Sequence, residues 1–285
     1  IHKMIIGNKE IKNVEALAIT ITGARHKDGG ICEDASLLVL DENMVVMAVA
    51  DGHGDSRCFR AKKGAELACE VACSANKQFL LSKPNIDFKS TKEIDKVLNQ
   101  LKANIIFKWI EAVEKDLKEN KLEDRELSLL SQEDQDKYKI DKTVSNPTLI
   151  YGTTLLAYGE VNNFWFGFQI GDGDLVTTDK KGAYVLEKDP KCIYNNTTSL
   201  CEADAMDHFY HLFGKKPPKA VFLCTDGLRN SFAKESYFLN IIRQMMEDIK
   251  ENGQNARESI TKFFEALTEA GSRDDISLAA IYHKD

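Results

Sequence analysis

Met44-Val45-Val46-Met47-Ala48-Val49-Ala50-Asp51-Gly52-His53-Gly54 is an apolar run that stops on a carboxylate, a glycine, an imidazole and a second glycine. A short apolar run rich in Val and Met, bounded by turn residues, predicts a buried strand. The turn then sets Asp51 and His53 at the strand's end, on a rigid element, with glycines that let a ligand approach the backbone. A metal carboxylate and a proton donor suit such a place. An Asp-Gly pair is also an ordinary turn. The reading therefore depends on how many other strand ends carry acids.

Working outward, the same design recurs. Gly171-Asp172-Gly173-Asp174 follows the apolar run Phe164–Ile170, Asp226-Gly227 follows Val221–Thr225, and Ser272-Arg273-Asp274-Asp275 precedes Ile276–Tyr282. Glu33-Asp34 abuts a further strand at Ala35–Leu40. Hard oxygen ligands without neighbouring Cys or His pairs point to Mg²⁺ or Mn²⁺ rather than Zn²⁺. Asp172-Gly173-Asp174 opens like an EF-hand loop but lacks its glycine and closing glutamate. Gly171-x-Gly173 lacks the third glycine of a dinucleotide fingerprint.

The rest of the chain supplies a frame for these ends. Glu15–Thr22 alternates as a half-buried strand, and with Ala35–Leu40 and the central strand it is expected to form an antiparallel meander. Between the first two lies a loop with the basic cluster Arg25-His26-Lys27. Ser56 is placed to cap a helix carrying the small-residue stripe Ala61, Ala65, Ala68 and Ala72, which lets it sit close on a sheet. Lys83–Lys89 breaks that helix, and Ser90-Thr91-Lys92-Glu93 reads as a capping box for a second. Ile94, Leu98, Leu101, Ile105 and Trp109 form the second helix's apolar face, which is core rather than chemistry. Glu119–Lys142 is dense in charge and reads as a solvated, partly helical excursion. Strands are expected over Thr148–Tyr158, Phe164–Ile170, Leu175–Thr178, Ala183–Leu186, Ala220–Cys224 and Ile276–His283, with amphipathic helices over Lys234–Lys250 and Asn255–Ala270. Lys191–Phe213 shows no clear period. The pattern predicts an α+β fold with helices covering sheet faces, as one domain over 1–285 with the excursion at about 119–146.

Composition excludes several classes. A net charge of −7 argues against a nucleic-acid partner, which would need a basic footprint. No apolar run approaches the roughly 18 residues that suggest a membrane span. With no apolar signal region at the N-terminus, a cytoplasmic location is expected. The seven cysteines show no Cys-x-x-Cys spacing, which argues against a zinc site or a disulfide framework. Cys69 and Cys73, one helical turn apart, are read as core packing. Asn195-Asn196-Thr197-Thr198 matches a glycosylation pattern, which carries little weight without a secretory signal.

Taken together, the acidic strand ends resemble the metal-dependent serine/threonine protein phosphatase family, type 2C, over nearly the whole chain. Glu33-Asp34-Ala35 is similar to the family's first acidic motif, and Ala50-Asp51-Gly52-His53-Gly54 to its Asp-Gly-His motif. Gly152-Thr153-Thr154 resembles the Gly-Ser/Thr-Thr that opens the central hairpins. Ile170-Gly171-Asp172-Gly173, Thr225-Asp226-Gly227-Leu228 and Arg273-Asp274-Asp275-Ile276 resemble the Gly-Asp, Ser/Cys-Asp-Gly and closing Asp-Asn/Asp motifs. No one motif is specific alone; their family order is. The loop Gly23–Asp34 looks most like a bacterial-type subgroup.

The resemblance implies a β-sandwich of two antiparallel sheets flanked by helices on both outer faces, four layers in the order αββα, with a dinuclear site at one edge. By position, Asp51 would bridge two Mn²⁺ or Mg²⁺ ions. Asp226 and Asp274 would hold one ion, the Gly52 carbonyl and Glu33 (through water) would serve the other, and Asp34 would orient water on the metals. Two cations a few Å apart lower the pKa of a shared water and neutralise phosphoryl charge. The leaving group is a Ser or Thr alkoxide, for which a proton donor such as His53 is worth roughly 10²–10⁴ in rate. The implied partner is a phosphorylated protein, and the family's habit leads us to expect a monomer.

Two departures stand out. The family's phosphate-binding Arg, five residues before the second acid of the first motif, is here Gly29. Arg25, His26 or Lys27 could substitute, Arg25 suiting bidentate contact and His26 matching the subgroup. A third ion in many members uses the Gly-Asp aspartate, here Asp172, and an acid that is here Asn230, so any third ion near Asp172 is expected to be weak. Two alternatives stay open: a catalytically inactive binding or scaffold module, and a two-metal phosphoesterase acting on a small molecule.

Overall fold

The computed structural model describes residues 2–6 by their backbone and residues 13–26, 30–41, 43–82, 90–179, 182–193 and 196–284 in full. Its strands pair into two facing sheets. One contains β1 (His2–Ile6), β3 (Ala35–Asp41), β4 (Met44–Ala50), β5 (Leu155–Val161), β6 (Phe164–Ile170) and β9 (Tyr210–Gly214), in the order β1-β3-β4-β5-β6-β9. The other contains β2 (Val14–Ile21), β7 (Asp174–Asp179), β8 (Gly182–Val185), β10 (Ala220–Cys224) and β11 (Ile276–His283), in the order β2-β11-β10-β7-β8. Every pairing is antiparallel except the edge pair β1–β3, which is parallel.

Helices cover both outer faces. α1 (Ala61–Ser82) and α2 (Thr91–Glu119) pack on the first sheet, while α7 (Glu235–Asn252) and α8 (Ala256–Ala270) pack on the second. The expected four-layer sandwich is therefore present. Strands buried on both faces read as continuous apolar runs rather than alternations, and all seven residues of β4 are buried. Between the sheets, Leu38, Val45, Met47 and Val49 meet Leu175, Val221, Leu223 and Ile281.

The expected meander is corrected. β3 and β4 do form a hairpin, but β2 belongs to the opposite sheet, where Ile19 pairs with Leu278 of β11. Its alternation has a physical basis in that position. Ala16 and Ala18 face the sandwich interior, and Leu17 and Ile19 face the helices of the second layer. Across the sandwich β2 meets β3 through the shared core of Ala16, Ala18, Leu38 and Leu40 and through a hydroxyl contact, Thr20 Oγ1 to Ser36 Oγ at 2.8 Å.

Local signals fared unevenly. Ser90 caps α2 by accepting from the Glu93 N–H at 3.3 Å, and the apolar face Ile94 to Trp109 is buried. Ser56 does not cap α1, which starts at Ala61; the turn before it closes through Cys58 N to Asp55 O at 2.8 Å instead. The predicted breaker Lys83–Lys89 lies outside the described residues, as do Lys27, Gly29 and Asn195. The strand expected from Thr148 begins at Leu155, because Asn146-Pro147 starts a single-turn helix α5 (Pro147–Ile150), with Asn146 accepting from Leu149 N. All seven cysteines are free thiols, and Cys69 and Cys73 are buried. Among the described residues no helix is long and apolar enough to cross a membrane.

The charged excursion is folded and docked rather than wholly solvated. It forms α3 (Asp124–Leu127) and α4 (Gln132–Asp141). Leu122 and Tyr138 are buried against the first layer, and the Tyr138 hydroxyl accepts from Leu122 N at 2.9 Å.

Candidate active site

The site is built where strand ends are stitched together. β4 ends at Ala50, and the next residues zip onto 152–154. Asp51 N donates to Thr154 Oγ1 at 3.0 Å, Thr154 N to Asp51 O at 2.9 Å, and His53 N to Gly152 O at 3.0 Å. The Thr153 hydroxyl also donates to Asp51 O at 2.9 Å. This pairing explains why a Gly-Thr-Thr stretch stands opposite the Asp-Gly-His. A Cβ on Gly152 would lie 2.7 Å from His53 Cδ2, so only glycine leaves room for the imidazole there.

The second stitch joins the other acids. Thr225 N donates to Ser277 O at 3.0 Å and Ser277 N returns to Thr225 Oγ1 at 2.8 Å. Asp226 then opens the one-turn helix α6 (Asp226–Arg229). Gly227 passes so close to the Asp275 carbonyl that a Cβ would sit 2.0 Å from its oxygen. Asp275 is the hub of the loop carrying the basic residues. Its carboxylate accepts from Gly23 N at 2.6 Å and Glu33 N at 2.8 Å, and its Oδ1 lies 3.1 Å from His26 Nδ1. Arg25 forms an ion pair with Asp274.

These segments surround a cleft of about 1180 Å³. Of the residues singled out from sequence, Arg25, His26, Glu33, Asp51, Gly52, His53, Asp172, Asp226 and Asp274 line it. Asp34 does not: it is buried, and its Oδ2 accepts from the Thr225 hydroxyl at 2.8 Å. Asp172 accepts from the Thr197 hydroxyl at 2.9 Å. Asn230, in place of an acid, donates its amide to Asp226 Oδ2 at 2.8 Å.

The electrostatics record crowded negative charge. Burial, then the neighbouring Asp275, holds Asp34 well above the usual carboxylate range. Burial, followed by Asp34, Asp226 and Asp172, does the same to Asp51. Asp226 is pushed up to about 6 by burial and Asp172, and Glu33 up to about 7 by burial, partly offset by His26. Asp226 is among the charges that raise Asp51, and carboxylates gathered this closely call for a proton or a cation between them. A divalent cation replaces such a proton, so the donor set suits hard metals such as Mg²⁺ or Mn²⁺. Among the described residues no three of these groups yet close around one point as a ligand cage. Arg25 is what engages Asp274. Burial lowers the pKa of His53, with Asp172 and Asp55 pulling the other way.

Several contributors were not singled out from sequence. Asp275 was legible only as the second acid of a pair, and its role emerges from three donors distant in the chain. Thr225 is legible in sequence as a strand end and as the opening of an Asp-Gly motif, but not as the donor that holds Asp34. Lys188 gave no signal: it donates to the Asp172 carbonyl and reaches Asp174 Oδ2 at 3.3 Å, setting a cation beneath the Gly-Asp turn.

Comparison with known proteins agrees with this fold. The fold is similar to that of a bacterial serine phosphatase, at 13% identity over 95% of this chain and 99% of the other, with a TM-score of 0.58. It is similar to the catalytic domain of the serine/threonine protein phosphatase PstP in complex with 2 manganese ions, at 13% identity over 96% and 99% of the two chains and a TM-score of 0.54. An S. agalactiae serine/threonine phosphatase matches at 14% identity, 95% and 100% coverage and a TM-score of 0.52. At these identities the likeness shows the fold alone. No curated protein matches the sequence. A family profile described as protein phosphatase 2C matches residues 22–265, stopping before the Asp274-Asp275 pair that the structure brings back beside Glu33 and Asp226. By that match over most of its length, the chain belongs to the protein phosphatase 2C family.

Proposed function

We propose that this chain hydrolyses phosphoserine and phosphothreonine in a phosphorylated protein, with Mn²⁺ or Mg²⁺ as cofactor. The observation that carries the reading is the convergence of Asp51, Asp226 and Asp274 with His53 on one cleft, in a chain of this family. Asp51, Asp226 and Asp274, with Glu33 and the Gly52 carbonyl, would hold two ions; Asp172 would serve a weak third. Bound there, the ions supply Lewis-acid neutralisation of phosphoryl charge and a lower pKa for water in the cleft.

The chain's own groups do the rest. His53 gives its proton to the departing alkoxide. Burial biases its imidazole toward the neutral form in the free protein, and a phosphate dianion beside it pushes the balance back. Arg25 is paired with Asp274; freed from it, its guanidinium would offer two parallel N–H groups to the phosphate. His26, braced by Asp275 at 3.1 Å, stands beside it. Asp34, below the cleft floor, offers the oxygen not held by Thr225 to orient water. Asn230 already donates to Asp226, so it adds no negative charge for a third ion. The protein is proposed to act as a cytoplasmic monomer.

The test is phosphate release from a phosphothreonine peptide with Mn²⁺, Mg²⁺ or EDTA, for wild type, Asp51→Asn and Asp274→Ala. Turnover that requires metal and falls at least about 10³-fold in both variants is expected. A small phosphate ester hydrolysed in preference to the peptide would point to the small-molecule phosphoesterase. The pairing of Arg25 with Asp274 is an observation that favours the inactive binding-module reading. Calorimetry showing no Mn²⁺ binding at millimolar concentration, with no turnover in folded protein, would make that reading the better one.

A further inference from the structure

The excursion between α2 and α5 is latched to the loop that carries His53, and the proposed chemistry leaves that latch unused. Arg60, the residue before α1, closes the loop. Its backbone N–H donates to Ile150 O at 2.9 Å. Its guanidinium grips Glu126 of α3 with two parallel bonds, Nε to Oε1 at 2.7 Å and Nη2 to Oε2 at 2.8 Å. Nη1 donates to the Tyr151 hydroxyl and to the Asn120 carbonyl, each at 2.8 Å. The Tyr151 hydroxyl in turn donates to Asp116 Oδ2 at 2.7 Å. The Arg60 and Asp116 side chains are each 11% exposed and Glu126 16%, so this is an enclosed network rather than a solvated pair. A planar fork held on all sides fixes the orientation of what it binds.

The strip of chain that receives Arg60 also receives the acid loop. Residues 152–154 zip to Asp51–His53, while Ile150 and Tyr151 hold Arg60 at the loop's far end. The loop 51–60 is thus pinned at both ends to residues 150–154, and its far pin is shared with the excursion. Tyr151 leads directly into Gly152, whose bare Cα seats the His53 ring.

We infer that Arg60 is a positioning residue that uses the 119–146 segment as a brace for His53, so that this segment sets the aim of the proton donor. The inference rests on the reading of His53 as that donor. Steady-state turnover of the phosphothreonine peptide with Mn²⁺ is compared for wild type, Arg60→Met, Arg60→Lys and Tyr151→Phe. Alongside it, the ¹H–¹³C signals of the His53 ring, assigned with His53→Gln, are recorded for each protein. Arg60→Met is expected to lower kcat by about tenfold or more, with KM and the Mn²⁺ half-saturation within about twofold of wild type. Arg60→Lys keeps the charge without the fork and should fall between. The His53 signal should move in Arg60→Met and in Tyr151→Phe. A kcat and a His53 signal unchanged from wild type in both would overturn the inference, leaving Arg60 an anchor of the excursion and nothing more. Should Arg60→Met fail to fold, Tyr151→Phe decides. Wild type without metal-dependent turnover would defeat the phosphatase reading, and the His53 signal would still decide whether Arg60 positions the imidazole.

Discussion

Gly152 shows how a single missing methyl group places a reactive side chain. A Cβ there would meet His53 Cδ2 at 2.7 Å and Cys58 Sγ at 3.0 Å. Gly152→Ala should therefore turn or push the imidazole while leaving the carboxylates in place. We expect kcat on a phosphothreonine peptide to fall roughly 10- to 100-fold, since a displacement near 1 Å at a reacting group has that scale of effect. The Mn²⁺ binding isotherm should be unchanged; a loss of Mn²⁺ affinity equal to the loss of kcat would show that the glycine serves the carboxylates instead. At this scale the sequence was legible where chemistry and turn signal coincide, as at Asp51-Gly52-His53. It was not legible for Asp275, whose partners Gly23, His26 and Glu33 are 242 to 252 residues away in the chain. Nor could it show that Arg25 engages Asp274 or that Asn230 donates to Asp226, because those are choices among nearby polar partners made only when the loops meet.

Elements carry their own signals, and these were clearest for strands buried on both faces. The runs Phe164–Ile170, Ala220–Cys224 and Ile276–His283 are strands with the bounds their apolar residues suggest. β2 was recognised as a strand yet assigned the wrong neighbour, because alternation fixes which faces are buried and not which strand lies alongside. The excursion was read as solvated because its charge hides a few anchors, Leu122, Tyr138 and the Arg60–Glu126 pair. In α1 the small-residue stripe was legible and has a testable consequence. Ala65, Ala68 and Ala72 are fully buried, in the core cluster that α1 shares with β3, β4 and β5. Ala68→Leu would force three extra carbons into a close-packed seam, which typically costs about 1–3 kcal/mol. Urea unfolding should show a lower midpoint at an unchanged slope. A midpoint equal to wild type would mean that the helix can ride up on the sheet without loss.

The whole molecule gathers acids at one edge of a sandwich, so its stability should depend on pH and on metal together. Burial raises Glu33 from its ordinary 4.5 to about 7 and Asp226 from 3.8 to about 6. A carboxyl group whose pKa is higher in the folded state holds its proton longer there than in the unfolded chain. Across that window the folded state binds more protons, and stability falls as pH rises. Below about pH 4 both states are protonated and these groups contribute nothing; the loss accumulates between about pH 4 and pH 7 and is complete above it. Divalent cations bind the ionised carboxylates, so they should offset that loss most where it is largest. Free Mn²⁺ at 100 times its Kd stabilises by about 2.7 kcal/mol, a rise of roughly 5 °C in the unfolding midpoint for a chain of this size. We expect that rise at pH 7.5, a much smaller one at pH 5, and almost none at either pH for Asp51→Asn. Thermal unfolding with Mn²⁺ against EDTA at the two pH values reads all three. An Mn²⁺ effect of equal size at pH 5 and pH 7.5, or one that survives in Asp51→Asn, would place the ions somewhere other than among these carboxylates.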